Sequence, residues 1–302
     1  MASSSPMKLA LLVVLLSATV SADFSTNFRN FISANYGEAM LTALARTDLG
    51  VDGSYGGGNH DGLSATSKRP IVIVHGITNT AGTFNNQRNY FKANGWSDET
   101  VYATTYGAGP SVNVLYVDME CEFVQQIRNM IVAVSAFTQQ KVDVIGYSLG
   151  SPIARKAILG GACVDETSTN LGDPLTGTVQ TYVSVAGANR GADMCNIPFA
   201  FIFPVCDLNN GLICGSTFIN NINPTNATKQ HYEGAKVFSI YGPSDDKVGY
   251  SPSLLALACS GKRYSLIEGA DDEKIDYPGN HDAILANSVD IQAYALNNQA
   301  LP

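Results

Sequence analysis

The 302 residues are 45% hydrophobic and carry a net charge of -8, with only 15% of them charged. That apolar content is enough to fill a large core and excludes a disordered chain. The acidic balance and the lack of any basic run exclude a nucleic-acid partner, since nothing would neutralise the phosphates.

The first residues read as a secretory leader. Lys8 supplies the positive start, Leu9 to Leu16 the apolar run, and Val20-Ser21-Ala22 the small-residue cleavage site, so residues 1–22 are expected to be removed. That run is too short to span a membrane, and no later run is long enough, so the chain is expected to be secreted with no transmembrane segment. Six cysteines follow the leader: Cys121, Cys163, Cys195, Cys206, Cys214 and Cys259. An even number in an oxidising compartment predicts three disulfides, whose pairing the sequence leaves open. No Cys-x-x-Cys pair and no Asp-rich calcium loop is present, so no metal is expected. Asn226-Ala227-Thr228 is a glycosylation sequon.

Residues 24–46 place Phe24, Phe28, Phe31, Ile32, Leu41 and Leu44 partly at helical spacing, which predicts one or two short helices. Gly50 to Gly62 reads as a loop; its Gly56-Gly57-Gly58 lacks the Gly-Lys-Ser/Thr ending that a phosphate loop requires. Ile71-Val72-Ile73-Val74 is a β-branched run with the pattern of a strand buried on both faces. It ends in His75-Gly76-Ile77-Thr78, where Gly76 is expected to let the backbone turn so that the next N–H groups point into a site. Phe84, Tyr90 and Phe91 fit a helix stopped at Asn94-Gly95. Val101 to Thr105 reads as a strand. Leu115 to Phe137 reads as one long amphipathic helix. Later strands are expected over Thr181 to Ala186 and Lys236 to Tyr241, and a closing helix over Asp282 to Leu296. Strands alternating with helices predict an α/β fold with a mostly parallel sheet and helices on both faces. No repeat or linker divides residues 23–302, so one domain is expected, with residues 23–67 as a short N-terminal extension.

The chemistry gathers at Val142 to Gly150. An apolar run ends in Gly146-Tyr147-Ser148-Leu149-Gly150, and a helical pattern follows at once. Strand, tight turn and helix form the context in which a Gly-x-Ser-x-Gly string presents its serine as a nucleophile. A serine hydroxyl needs a base, and the chain holds four histidines: His60, His75, His231 and His281. In this arrangement the base follows the serine in the chain, which excludes His60 and His75. His231 has no apolar strand just before it, whereas His281 opens the last helix; His281 is the favoured base. His75 is expected to brace its loop. The acid should follow the Lys236–Tyr241 strand, where Asp245 and Asp246 are both available. Asp271, Asp272, Glu273 and Asp276 read as a solvated loop. The backbone N–H groups of Leu149 and of Ile77 or its neighbour Thr78 are placed to hold an oxyanion.

These residues, with Asn94-Gly95-Trp96-Ser97, Ala186-Gly187-Ala188-Asn189-Arg190-Gly191, Ser239-Ile240-Tyr241 and Asn280-His281, make the chain similar to the class 2 lipase family of α/β-hydrolases over about residues 68–297. It looks most like the secreted nematode lipase-like branch, which is related to small bacterial lipases. The resemblance implies hydrolysis of carboxylic esters, including acylglycerols, with no cofactor. It also implies that Asp245 is the acid of a Ser148-Asp245-His281 triad, with Ile77 and Leu149 as the oxyanion donors. The chain departs from the smallest bacterial members in its cysteines and its insertions at 160–178 and 191–235. Within the second, the apolar run Ile197 to Val205 between Cys195 and Cys206 reads equally as a lid that meets a lipid–water interface or as a disulfide-tied flap on the core. A triacylglycerol lipase is the leading expectation. A short-chain carboxylesterase and a catalytically silent hydrolase-fold binder are the alternatives.

Overall fold

In the computed structural model, residues 23–226, 230–250 and 261–302 are described. The expected leader, Cys259 and the Ala227-Thr228 part of the sequon lie outside them.

The β-branched runs become the centre of a seven-stranded sheet among the described residues. Its strands are β1 (Ser54–Tyr55), β2 (Ile71–Val74), β3 (Val101–Thr104), β4 (Val142–Tyr147), β5 (Val179–Val185), β6 (Lys236–Ile240) and β7 (Asp272–Lys274), in the order β1-β3-β2-β4-β5-β6-β7. Every pairing is parallel except β1 with β3. Along β2 successive side chains enter opposite layers. Val72 and Val74 pack into one core cluster, and Ile71 and Ile73 into another. Both faces are therefore covered, as a parallel sheet requires.

One layer holds α1 (Thr26–Tyr36), α2 (Glu38–Ala45), α4 (Cys121–Thr138) and α5 (Gly150–Leu159). The other holds α3 (Asn85–Ala93), α7 (His281–Asn287) and α8 (Val289–Asn298). A short α6 (Thr217–Ile222) lies in the second insertion and packs on α5.

Four expectations are corrected. The long helix expected from Leu115 starts at Cys121, after a separate turn over Val114–Tyr116. Upstream backbone is used elsewhere, since the Met119 N–H donates to Asn210 O at 3.0 Å, and the first helical N–H, of Cys121, donates to Asp165 Oδ2 at 3.0 Å. The closing helix is two helices, broken at Ser288. The glycine-rich segment contains β1, paired with β3. The acidic group at 271–276 is not a solvated loop, because Asp272–Lys274 forms the edge strand β7 on β6. Asp271 accepts from His231 Nε2 at 2.7 Å, from Lys236 Nζ at 2.8 Å and from the Val237 N–H at 2.8 Å.

Disulfides join Cys121 to Cys163 and Cys195 to Cys206. The first ties the start of α4 to the 160–178 insertion, and the second closes the apolar run. The third expected pair involves Cys259, outside the described residues. Among the described residues no helix is long and apolar enough to cross a membrane.

Candidate active site

The end of β4 and the start of α5 meet at Ser148, whose φ of 54° lies in the left-handed region. Side chains other than glycine enter that region at a cost, so the turn must be held by its surroundings. Gly150 shows how closely. A Cβ there would stand 2.2 Å from His75 O and 2.5 Å from Val74 O, both backbone atoms of the neighbouring strand end. Gly150→Ala is therefore expected to destabilise the protein by about 1–3 kcal/mol and to displace the turn. A Gly150→Ala protein that melts with the parent and keeps its activity would show that this contact does not shape the turn.

Beneath the turn lies a buried polar network. Ser151 Oγ donates to Asn189 Oδ1 at 2.7 Å, and Tyr182 Oη donates to Ser151 O at 2.9 Å. Asn189 Nδ2 donates to Ser184 Oγ at 2.9 Å and to Ser265 O at 3.0 Å. Asn189 thus anchors the start of α5 to β5 and to a distant loop. The sequence carries Asn189 within the Ala186–Gly191 motif without marking its role, and it marks neither Ser151 nor Tyr182. A buried serine and amide under a glycine-rich turn leave no periodic signal.

The structure brings three of the expected side chains together. His281 Nε2 lies 2.9 Å from Ser148 Oγ, and His281 Nδ1 lies 2.8 Å from Asp245 Oδ2. The other Asp245 oxygen accepts backbone N–H groups from Lys247 at 3.0 Å, Val248 at 2.9 Å and Gly249 at 3.4 Å. Its neighbour Asp246 points elsewhere: its Oδ1 accepts the His281 backbone N–H at 3.0 Å. The two aspartates therefore hold the same histidine by different groups. His231 stands apart, on Asp271.

His75 lies behind the loop after β2. Its Nδ1–H donates to Gly76 O at 2.7 Å, its Nε2 accepts the Tyr106 N–H at 3.0 Å, and its ring stacks on Tyr106 with centroids 4.0 Å apart. Burial pushes its pKa down to about 4, so it is neutral, as that pairing of one donor and one acceptor requires. Gly76 has a different role from the expected one. The positive φ falls on Thr78, at 55°. Gly76 instead makes room, since a Cβ there would stand 2.9 Å from Ser148 Cβ. The N–H groups of Ile77 and Leu149 meet no protein acceptor among the described residues. Both residues line a cavity of about 420 Å³ that also exposes Ser148 and His281.

Apolar side chains flank that cavity. Met194 lines it, and the disulfide-closed run follows in the chain, with Phe199 72% and Ile202 64% exposed. Ala200 and Val205 of the same run are buried. Its inner side is thus fixed on the core while its outer side offers apolar surface to solvent. Among the described residues no cluster of metal-ligating side chains occurs.

Comparison with known proteins agrees with this architecture. In fold the chain is similar to Aspergillus fumigatus lipase B, with 13% identity and a TM-score of 0.58 over 99% of this chain and 64% of that one. It is also similar to Bacillus licheniformis lipase BlEst2 in its propeptide form, with 15% identity and a TM-score of 0.53 over 78% of this chain and 52% of that one. The chain thus spans less than two thirds of the length of either protein. No curated protein matches it. Residues 68–294 match the family Lipase (class 2). That span covers most of the sequence, and the chain belongs to the class 2 lipases.

Proposed function

We propose that the protein is a secreted serine hydrolase of carboxylic esters, acting as a triacylglycerol lipase through Ser148, His281 and Asp245. The observation that carries this is the unbroken series of hydrogen bonds from Ser148 Oγ through the imidazole to Asp245, at the base of an open cavity.

Asp245 accepts the Nδ1–H and leaves the Nε2 lone pair facing Ser148. The imidazole takes the Oγ proton as the oxygen attacks the ester carbonyl. The carbonyl oxygen gains charge and is held by the N–H groups of Ile77 and Leu149. The imidazolium then protonates the leaving alcohol, and an acyl-enzyme remains on Ser148. Water, deprotonated by His281, releases the acid. The two described disulfides accord with an oxidising compartment.

The test is hydrolysis of p-nitrophenyl esters of increasing acyl length beside emulsified triacylglycerol, together with labelling by a fluorophosphonate. Labelling at Ser148 and turnover that rises with acyl length and on the emulsion are expected. Turnover confined to short soluble esters would make the protein a carboxylesterase. A folded protein that neither labels nor turns over would be a silent binder, and the reading would be lost.

The exposed face of the 197–205 run suits transient contact with a lipid–water interface. Burying one large apolar side chain is worth about 1.5–3 kcal/mol. Phe199→Ser is therefore expected to lower activity on the emulsion roughly tenfold more than on a soluble ester. Equal losses on both would assign the run to the core-packed flap instead.

A further inference from the structure

The cavity wall beside His281 differs from the rest of the lining. Ile77, Val114, Met194, Leu212 and Val248 make the remainder largely apolar. Next to the imidazole stand Lys247 and Asp282. Lys247 Nζ donates to both Asp282 oxygens at 2.8 Å, and Tyr147 Oη donates to Asp282 Oδ1 at 3.0 Å. The Tyr147 ring centroid is 4.9 Å from that of His281. Asp246 lines the same side. The hydrogen bond from Lys247 holds the Asp282 carboxyl below the usual carboxylate range, so it is ionised at neutral pH. Burial raises the Tyr147 hydroxyl, which keeps its proton. Lys247 and Asp282 are 56% and 66% exposed, so a ligand reaches both. An exposed pair of this kind is worth little by itself and is readily shared with a third group.

The reaction decides what lies against this wall. The leaving oxygen has to receive its proton from His281 Nε2, so it sits within hydrogen-bond reach of that atom. The rest of the alcohol then extends over the side chains next to the imidazole. We propose, on the basis of the serine hydrolase reading above, that Lys247 and Asp282 bind the alcohol half of the partly deacylated acylglycerols that triacylglycerol cleavage leaves and select a neutral alcohol with free hydroxyls there, as in a monoacylglycerol. Free hydroxyls donate to the carboxylates of Asp282 and Asp246 and accept from Lys247. A plain alkyl alcohol leaves these groups unused. An anionic head group meets two carboxylates and one ammonium.

The test compares three octanoyl esters below their aggregation concentrations: 1-octanoylglycerol, 2-methoxyethyl octanoate and 1-octanoylglycerol 3-phosphate. The methoxyethyl ester has an alcohol of similar basicity with no hydroxyl to donate. Hydrogen bonds to charged groups predict a kcat/KM about tenfold higher for the glycerol ester than for the methoxyethyl ester, carried mainly by KM, with the phosphate slowest. Lys247→Met and Asp282→Ala should each bring the glycerol-to-methoxyethyl ratio towards one, and Lys247→Arg should restore most of it. A ratio near one in the parent, a ratio that neither variant changes, or preference for the phosphate would overturn the proposal while leaving the hydrolase reading intact. No turnover of any of the three by folded protein would overturn both.

Discussion

Asp245→Asn is expected to lower kcat about 10⁴-fold, whereas Asp246→Asn should stay within about tenfold of the parent. The difference follows from what surrounds the first carboxylate. Three backbone N–H groups, from Lys247, Val248 and Gly249, converge on Asp245 Oδ1. They fix which end of an asparagine faces them, because only its carbonyl oxygen accepts. Its amide N–H₂ must then face His281 Nδ1. The imidazole has to offer a lone pair there and carry its proton on Nε2, so it cannot take the Ser148 proton. Among the described residues Asp246 holds only the His281 backbone N–H, which an asparagine oxygen accepts equally well. Ser148→Ala should cost more, on the order of 10⁶ in kcat, with the fold intact. Steady-state kinetics on a soluble ester read all three. Equal losses at the two aspartates would move the acid away from Asp245.

The second large effect concerns stability. Arg155 on α5 donates to Glu233 Oε1 at 2.8 Å, and the two side chains are 2% and 1% exposed. Arg155 also donates to Ile222 O at 2.7 Å, which ties α5 to the end of α6. The second Glu233 oxygen has no partner among the described residues. Arg155→Met would leave a buried carboxylate with no ion-pair partner among the described residues. Removing one member of such a pair costs about 3–5 kcal/mol. At this size that amounts to a fall in melting temperature of roughly 10 °C. Arg155→Met combined with Glu233→Leu should recover most of it, since two apolar groups need no partner. Thermal unfolding of the parent, the single and the double variant forms a cycle. A single variant within about 1 kcal/mol of the parent would show that water reaches the pair.

The strands of the sheet were legible because buried parallel strands are written as near-continuous apolar runs, as in Ile71–Val74. The juxtaposition of Ser148 and His281 was legible because chain order and the strand–turn–helix context constrain it. The weaker signals lost to tertiary partners. Leu115 and its neighbours have helical spacing, yet the Leu115 and Tyr116 N–H groups turn back to Asn113 and the Met119 N–H is spent on Asn210 in the second insertion. Asp272–Lys274 is acidic and reads as solvent-exposed, but an edge strand needs only one covered side. The doublet Asp245-Asp246 could be divided only in three dimensions, by the direction of the N–H groups that follow it. That His75 braces its loop follows from its place after β2, but its partners, Gly76 O and the Tyr106 N–H, lie on two different loops that only the fold brings together.

The parallel strands have a practical corollary for handling the protein. Ser148, Ile77, Asp246 and His281 all follow the carboxyl ends of their strands or open the helix beside them. Lys141, exposed and directly ahead of β4, marks the opposite edge. A bead coupled through the Lys141 amine would hold each molecule with its mouth turned to the bulk liquid. Coupling through Lys247 would turn the mouth against the support. An immobilised preparation should therefore keep or lose its activity according to which amine the linker finds.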